Sequence, residues 1–363
     1  MGFFGCRLRL ICLMFVFLFI PVQTGFLMEK ETSLVSIYLS RPDLQAAFDS
    51  QTWQSTGVSH AGFLLDLVDW ARQYGWKEYP KQLEKYRPLT KTSLEKVKEK
   101  EVPKVSAQSY IILDRHSGIV LAEKKSTTIW PIASLTKLMA ASTVLNQTTN
   151  PSSSQAILAS DEVGGARLVV NPGTKFTLNN LLYAALVGSA NNAARALSHS
   201  TNLSIEDFIG AMNKKAQTLG LIHTHFVESS GIDPKNISTA REMAKLAHDV
   251  FSQKAIQHYT TTAVKYITSL SGVEKKLINT NWMLWKPEFD DVYVTSGKTG
   301  YLEESNWNLV VSLRPDGSSV DKEILLVLFG SDSRGQSFID AKALAQWIWQ
   351  THSPAPVPVQ ELQ

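Results

Sequence analysis

From residue 105 to 351 the apolar periodicity of this chain changes twice, from strand to helix and back to strand, and that order constrains the fold more than any other feature. The run "SYIILDRHSGIVLAEK" is two β-rich segments around Arg115-His116-Ser117-Gly118, which reads as a hairpin. "PIASLTKLMAASTVLNQ" reads as a helix with Pro131 near its start. A long, mostly helical region follows, including "TLNNLLYAALVGSANNAARALSHS", "SIEDFIGAMNKKAQTLG" and "STAREMAKLAHDVFSQKAI". Strand patterns return in "DDVYVTSGKTGY", "NWNLVVSLRP" and "EILLVLFGS", and a helix, "FIDAKALAQWIWQ", closes the region. A single sheet assembled from both ends, with the helical middle inserted as a second lobe, accounts best for this order, so the expected class is α+β.

The flanks read differently. Arg7 and Arg9 precede residues 10–28, which carry no charge and have about the length that crosses a bilayer. Positive charge on that side keeps the N-terminus cytoplasmic. The rival reading is a cleaved signal segment. No Ala-x-Ala site is present, and Val22-Gln23-Thr24 is a poor substitute. Cys12 lies inside the apolar run, which argues against a lipoprotein cysteine. An uncleaved anchor is favoured, and either reading exports the body of the protein. Residues 29–104 hold a short amphipathic helix, with Phe63, Leu64, Leu67, Val68 and Ala71 at helical spacing, and then a charged linker closed by Pro103. That segment is a stalk, or it docks Trp53, Trp70 and Trp76 on a membrane or partner; the residues favour neither. Residues 352–363 read as a flexible, proline-rich tail.

With 363 residues, 44% of them hydrophobic, the chain can bury a sizeable core. A net charge of +3 with scattered Lys and Arg gives no footprint for nucleic acid. Its two cysteines, Cys6 and Cys12, leave the body without a disulfide, a thiol nucleophile or a Cys metal site. His223 and His225 stand two apart with no third ligand at suitable spacing, so no metal or other cofactor is expected.

"SGKTG" at 296–300 raises the question of a phosphate loop. Such a loop needs a glycine five residues before Gly297, where Val292 stands, and a helix after Thr299, where a strand pattern continues. Lys298 fits a strand edge better. Two other motifs agree: Ser134-x-x-Lys137 and Ser189-x-Asn191. Together with Lys298-Thr299-Gly300 they form the trio of penicillin-recognising serine enzymes. Each motif alone recurs by chance: Ser93 with Lys96, in the charged linker where nothing desolvates a lysine, and Ser200 with Asn202, which has no partner motif. Ser134 and Lys137 are three apart at a helix start, so their side chains share a face. A serine hydroxyl is a poor nucleophile until a base takes its proton. Lysine serves only when neutral, which burial and a second cation such as Lys298 both favour. The free N–H groups of the helix start include that of Ser134, one half of a candidate oxyanion hole.

Order, spacing and context of these motifs resemble the D-alanyl-D-alanine carboxypeptidases, the low-molecular-weight penicillin-binding proteins. The likeness runs from about 105 to 351 and includes "PIASLTKLM", "LLYAALVGSANNAARAL" and "SSGIDPKNISTAREMAKLA". It implies a DD-peptidase/β-lactamase-like fold, an antiparallel sheet flanked by helices. It also implies that Ser134 attacks the penultimate D-Ala carbonyl of a peptidoglycan stem peptide and that β-lactams acylate the same serine. By resemblance Ser189 relays protons, Asn191 holds the substrate amide, and Tyr301 supplies the second oxyanion N–H. Lys298 and Thr299 would bind the terminal carboxylate, and Gly300 would leave room for substrate along the strand. The catalytic region would act outside the cytoplasmic membrane. Asn192, where an Asp is common, and the loop "ESSGID", without its usual proline, depart from the family pattern. The rivals are a DD-endopeptidase, a β-lactamase and a non-catalytic wall-binding module. The class A β-lactamase Glu-x-x-x-Asn arrangement is missing between Ser189 and Lys298: Glu206, Glu228, Glu242, Glu274 and Glu288 are followed four residues on by Gly210, Ile232, Leu246, Ile278 and Val292.

Overall fold

The computed structural model describes residues 92–356, apart from 148, 149, 151 and 202. The expected anchor at 10–28, the amphipathic helix, the charged linker as far as residue 91 and the end of the tail (357–363) lie outside the described residues. Among the described residues no helix is long and apolar enough to cross a membrane.

A strand, β1 (Thr92–Lys96), comes first, followed by the expected hairpin of β2 (Ser109–Asp114) and β3 (Val120–Lys124). The short β4 (Ile129–Pro131) leads through a 3-10 turn at Ala133–Leu135 into α1 (Thr136–Gln147). Pro131 therefore ends a strand instead of opening the helix. The middle of the chain holds β5 (Ser154–Ala156), β6 (Lys175–Thr177), α2 (Leu178–Leu186), α3 (Asn191–His199), α4 (Ile205–Thr218), β7 (Ile237–Thr239), α5 (Ala240–Val250), α6 (Lys254–Thr261) and the hairpin β8 (Val264–Thr268) and β9 (Glu274–Ile278). Then come β10 (Tyr293–Leu302), β11 (Asn306–Arg314), β12 (Ile324–Ser331), α7 (Arg334–Thr351) and β13 (His352–Pro356). Hydroxyl caps set several helix starts: Thr177, Ser204, Thr239 and Ser333 each accept the N–H three residues on, satisfying a donor the helix leaves free.

The principal sheet runs β10-β11-β12-β2-β3, antiparallel throughout, so both ends of the region do meet in one sheet. Its central strands are buried on both faces, which is why "ILLVLF" is apolar at successive positions. Leu325, Val327 and Phe329 face one way and join α1, α2, α3 and α5 in a single core. Ile324, Leu326 and Leu328 alternate to the other face and pack with Phe338, Leu344 and Ile348 of α7. The helical middle thus shares its core with the sheet. α1 lies at the centre of that core, with Leu138, Met139 and Val144 all but inaccessible to solvent.

The ends of the region differ from the sequence reading, which placed 92–96 in the linker and 352–356 in the tail. β1 pairs antiparallel with β13, with Leu94 opposite Pro354. Leu94 joins the core cluster on the α7 face, and its N–H donates to Asp114 Oδ2 at 2.9 Å. A short two-stranded ribbon tolerates proline because only some of its N–H groups enter the ladder.

Candidate active site

Ser134 sits in the 3-10 turn one step before α1, where the backbone is bent hard: Ala133 has φ 50°, a left-handed value that costs a residue with a Cβ about 1–2 kcal/mol. Two close approaches hold the bend. A Cβ on Gly231 would lie 1.9 Å from the Ala133 carbonyl oxygen, and one on Gly300 would lie 3.2 Å from the Ser134 nitrogen. Only glycine lets the 228–231 turn and strand β10 press against the nucleophile from two sides. Asn308 of β11 adds a third fixing point: its Nδ2 donates to the Pro131 carbonyl at 2.9 Å, and its Oδ1 accepts from Gly330 N at 3.1 Å.

Lys137 follows on the first turn of α1 and is 1% exposed. Its Nζ lies 2.8 Å from Ser134 Oγ, 2.7 Å from Asn191 Oδ1 and 2.5 Å from the Ser230 carbonyl. Burial brings its pKa down to about 7, against the opposing pull of the negative charge on Glu228. Near neutrality the amine and the ammonium are therefore both well populated, as a general base requires.

Ser189 occupies the turn between α2 and α3, also with a left-handed backbone, at φ 58°. Two of the four non-glycine residues with positive φ among those described, Ala133 and Ser189, are thus at this site. Ser189 Oγ accepts from Lys298 Nζ at 2.8 Å. Asn191 opens α3; its backbone N–H donates to the Ala166 carbonyl at 2.6 Å and its Nδ2 to the Gly164 carbonyl at 2.9 Å. These contacts tie the 164–166 loop to the cleft.

Lys298 is 1% exposed on β10, the edge of the sheet. Its remaining bond goes to the Thr299 carbonyl, at 2.9 Å. Burial first, then the charges of Lys137 and Arg334, hold its pKa well below the ordinary lysine value. Thr299 Oγ1 donates to Thr280 Oγ1 at 2.7 Å. Tyr301 turns outward, half exposed, with its ring stacked on Trp307 at 4.4 Å between centroids. Because β10 is an edge strand, alternate N–H and C=O groups along it are free of β11.

The structure brings Ser134 and Lys137 from the start of α1, Ser189 and Asn191 from the turn into α3, and Lys298 and Gly300 from β10 within contact of one another; Thr299 and Tyr301 flank Gly300 on β10, Thr299 bonded to Thr280 and the Tyr301 ring turned onto Trp307. His223 and His225 lie elsewhere: His223 Nδ1 sits 2.9 Å from Glu242 Oε1, and His225 pairs through its backbone with Ile237. Asn192 explains its own departure from the family pattern. Its side chain clasps Leu168, accepting from the N–H at 3.0 Å and donating to the carbonyl at 2.9 Å, while Nδ2 also reaches Glu162 Oε1 at 2.8 Å. An aspartate would lack both donor hydrogens.

Arg334 is one of the residues that sequence reasoning missed. It opens α7, donates to the Thr280 carbonyl at 2.8 Å, stacks over Trp282 at 4.8 Å and adds positive charge on the Lys298 side of the cleft. Its Nε is buried without a partner. No local motif marks it, and the sequence pattern begins that helix only at Phe338, whereas the structure starts it at Arg334.

Residues 96–331 match the family of D-alanyl-D-alanine carboxypeptidases. The D-alanyl-D-alanine endopeptidase of Haemophilus influenzae is 37% identical over 206 residues, 56% of this chain and 69% of that protein. The endopeptidase of Escherichia coli is 29% identical over 263 residues, 72% of this chain and 82% of that protein. Among solved structures, a Streptomyces DD-transpeptidase shares 25% identity and a TM-score of 0.63, over 69% of this chain and 100% of the other. The expected DD-peptidase fold is therefore the observed one, and the chain belongs to the D-alanyl-D-alanine carboxypeptidase family.

Proposed function

We propose that this protein is a serine DD-peptidase that removes terminal D-Ala from peptidoglycan stem peptides. The observation that carries the reading is the buried Lys137 amine 2.8 Å from Ser134 Oγ, with a pKa brought to about 7. The neutral amine takes the hydroxyl proton as Ser134 Oγ attacks the penultimate D-Ala carbonyl. The Ser134 and Tyr301 N–H groups face the developing oxyanion, where such donors stabilise charge more than in the ground state. The proton passes through Ser189 to the leaving amine, the C–N bond breaks, and terminal D-Ala departs from an ester on Ser134. Water then cleaves the ester with the same base. Lys298, Thr299 and Arg334 receive the free carboxylate, whose charge offsets the like charges buried there. A β-lactam would form the same ester and stay. The apolar segment 10–28 supports a catalytic region working on the outer side of the cytoplasmic membrane.

A second reading, cleavage of cross-links, has its own support, because relatives named D-alanyl-D-alanine endopeptidase include one at 37% identity. A D-centred leaving residue within a cross-link also carries a carboxylate, so the same pocket serves both. The test is incubation with a D-Ala-D-Ala pentapeptide and, separately, with a cross-linked muropeptide dimer, wild type beside Ser134→Ala. Free D-Ala from wild type alone is expected. Monomer from the dimer at a higher rate would make the endopeptidase reading the principal one, and no serine-dependent product from either would sink both.

A further inference from the structure

Glu228 belongs to none of the three motifs, yet five donors converge on its half-buried carboxylate. Oε2 accepts from the Ser230 N–H at 2.6 Å and the Ser230 hydroxyl at 2.5 Å. Oε1 accepts from the Gly231 N–H, from the Ile232 N–H at 3.1 Å and from Asn236 Nδ2 at 2.8 Å. Asn236 fixes the base of the same turn, donating to the Glu228 carbonyl at 3.0 Å and accepting from the Val227 N–H at 2.7 Å. Three successive N–H groups gathered on one carboxylate leave the chain little choice of where its carbonyls point. The Ser230 carbonyl points at Lys137 Nζ, 2.5 Å away, and Gly231 lies against the Ala133–Ser134 peptide.

We propose that Glu228 is a positioning residue for the general base: its carboxylate folds the 228–232 turn so that the Ser230 carbonyl aims the Lys137 amine at Ser134. The proposal rests on the serine-peptidase reading given above. The charges that bear on Lys137 are Glu228 from this turn and Lys298 from β10; its other side-chain partners are the neutral Ser134 and Asn191. Glu228 therefore acts on the lysine in two ways, through geometry and through its negative charge, which holds the amine's affinity for protons above what burial alone would leave. A glutamine is no substitute. Its single oxygen serves one set of donors, and its NH2 then confronts the other set with hydrogens.

The test uses the full chain and a fluorescent penicillin, with the acylation rate followed from about pH 5 to 9, a window that brackets the titration of Lys137 near 7. Wild type takes the label and Ser134→Ala does not. Glu228→Gln is expected to acylate about tenfold to a hundredfold more slowly on the plateau, the scale of a displaced catalytic group. Its acid limb should move to lower pH, because the negative charge is gone. Glu228→Asp keeps the charge and should slow acylation while leaving the limb in place. A wild-type rate and limb in Glu228→Gln, or a slower plateau with an unmoved limb, overturns the proposal. If the glutamine variant shows no cooperative unfolding transition, the aspartate variant decides, and a wild-type rate there overturns it equally. Absence of label on wild type is a different failure, that of the serine-peptidase reading itself.

Discussion

Lys137 carries the sharpest expectation of any single residue. Its pKa falls to about 7 because the amine is buried, and below that pH the ammonium has no lone pair to accept the Ser134 proton. Acylation by a labelled penicillin should therefore decline about tenfold per pH unit below about 7 and level off above it. Lys137→Ala should lose on the order of 10² to 10⁴ in rate and lose the limb as well. A limb that survives in that variant would assign the titration to another group. Two glycines separate space from chemistry nearby. Gly231 has φ 80° and no room at all, since a Cβ would overlap the Ala133 carbonyl at 1.9 Å. Gly231→Ala should cost well over ~2 kcal/mol of stability, the left-handed strain alone accounting for about 1–2. At Gly300 the nearest contacts of a Cβ are 3.0 to 3.2 Å, which a small retreat of β10 relieves. Gly300→Ala should unfold close to wild type yet acylate poorly, because that retreat opens the gap to the Ser134 nitrogen. Denaturant midpoints measured beside acylation rates check both expectations.

At the scale of elements, the β1–β13 ribbon is the piece whose worth is least obvious. Leu94 is 3% exposed in the cluster with α7, so Leu94→Ala should cost about 2–3 kcal/mol, the low side of core truncations because the ribbon can relax. A shift in urea midpoint at an unchanged slope would show it, and a neutral result would mean the ribbon contributes nothing to the core. The same ribbon shows where sequence reasoning stops. The runs that became β2 and β12 are buried on both faces and apolar at successive positions, so they announce themselves. In "TSLEK" Leu94 is the lone apolar residue, and what makes the segment a strand is backbone pairing with 352–356, which leaves no mark on side-chain pattern. The site divides likewise. Ser134 with Lys137, Ser189 with Asn191, and Lys298 with its two followers are local motifs, each set by one helix start, one turn or one strand. Arg334 and Asn308 act through tertiary contacts at Thr280 and Pro131, and Glu228, whose own bonds to the 230–232 backbone are local, bears on the site only through the tertiary contact of the Ser230 carbonyl with Lys137. Nothing in their spacing along the chain encodes those distances.

Taken as a whole, the molecule builds its site against its own stability. Lys298 is buried with neutral hydrogen-bond partners, Ser189 and Thr299, and with Lys137 and Arg334 as its charged neighbours. A lysine in the unfolded chain titrates near ~10.4, whereas burial holds the folded one well below that value. Between those two pKa values the unfolded chain binds a proton that the folded chain does not, so this group makes wild-type stability rise with pH across the window, and its cost is complete below the folded pKa. Lys298→Met keeps most of the side-chain length, leaves a serine hydroxyl that can turn to other partners and removes the cost. The variant should be more stable than wild type at neutral pH by about 1–2 kcal/mol, the usual yield of relieving one functional strain. That gain should shrink toward zero as pH approaches ~10, and release of D-Ala should fail throughout. A substrate-like ligand with a free carboxylate should stabilise wild type more than the variant, because the variant keeps only Thr299 and Arg334 to receive that charge. Urea unfolding at several pH values, with and without such a ligand, tests the argument. A variant less stable than wild type at neutral pH would mean that the two hydrogen bonds of Lys298 outweigh the burial of its charge.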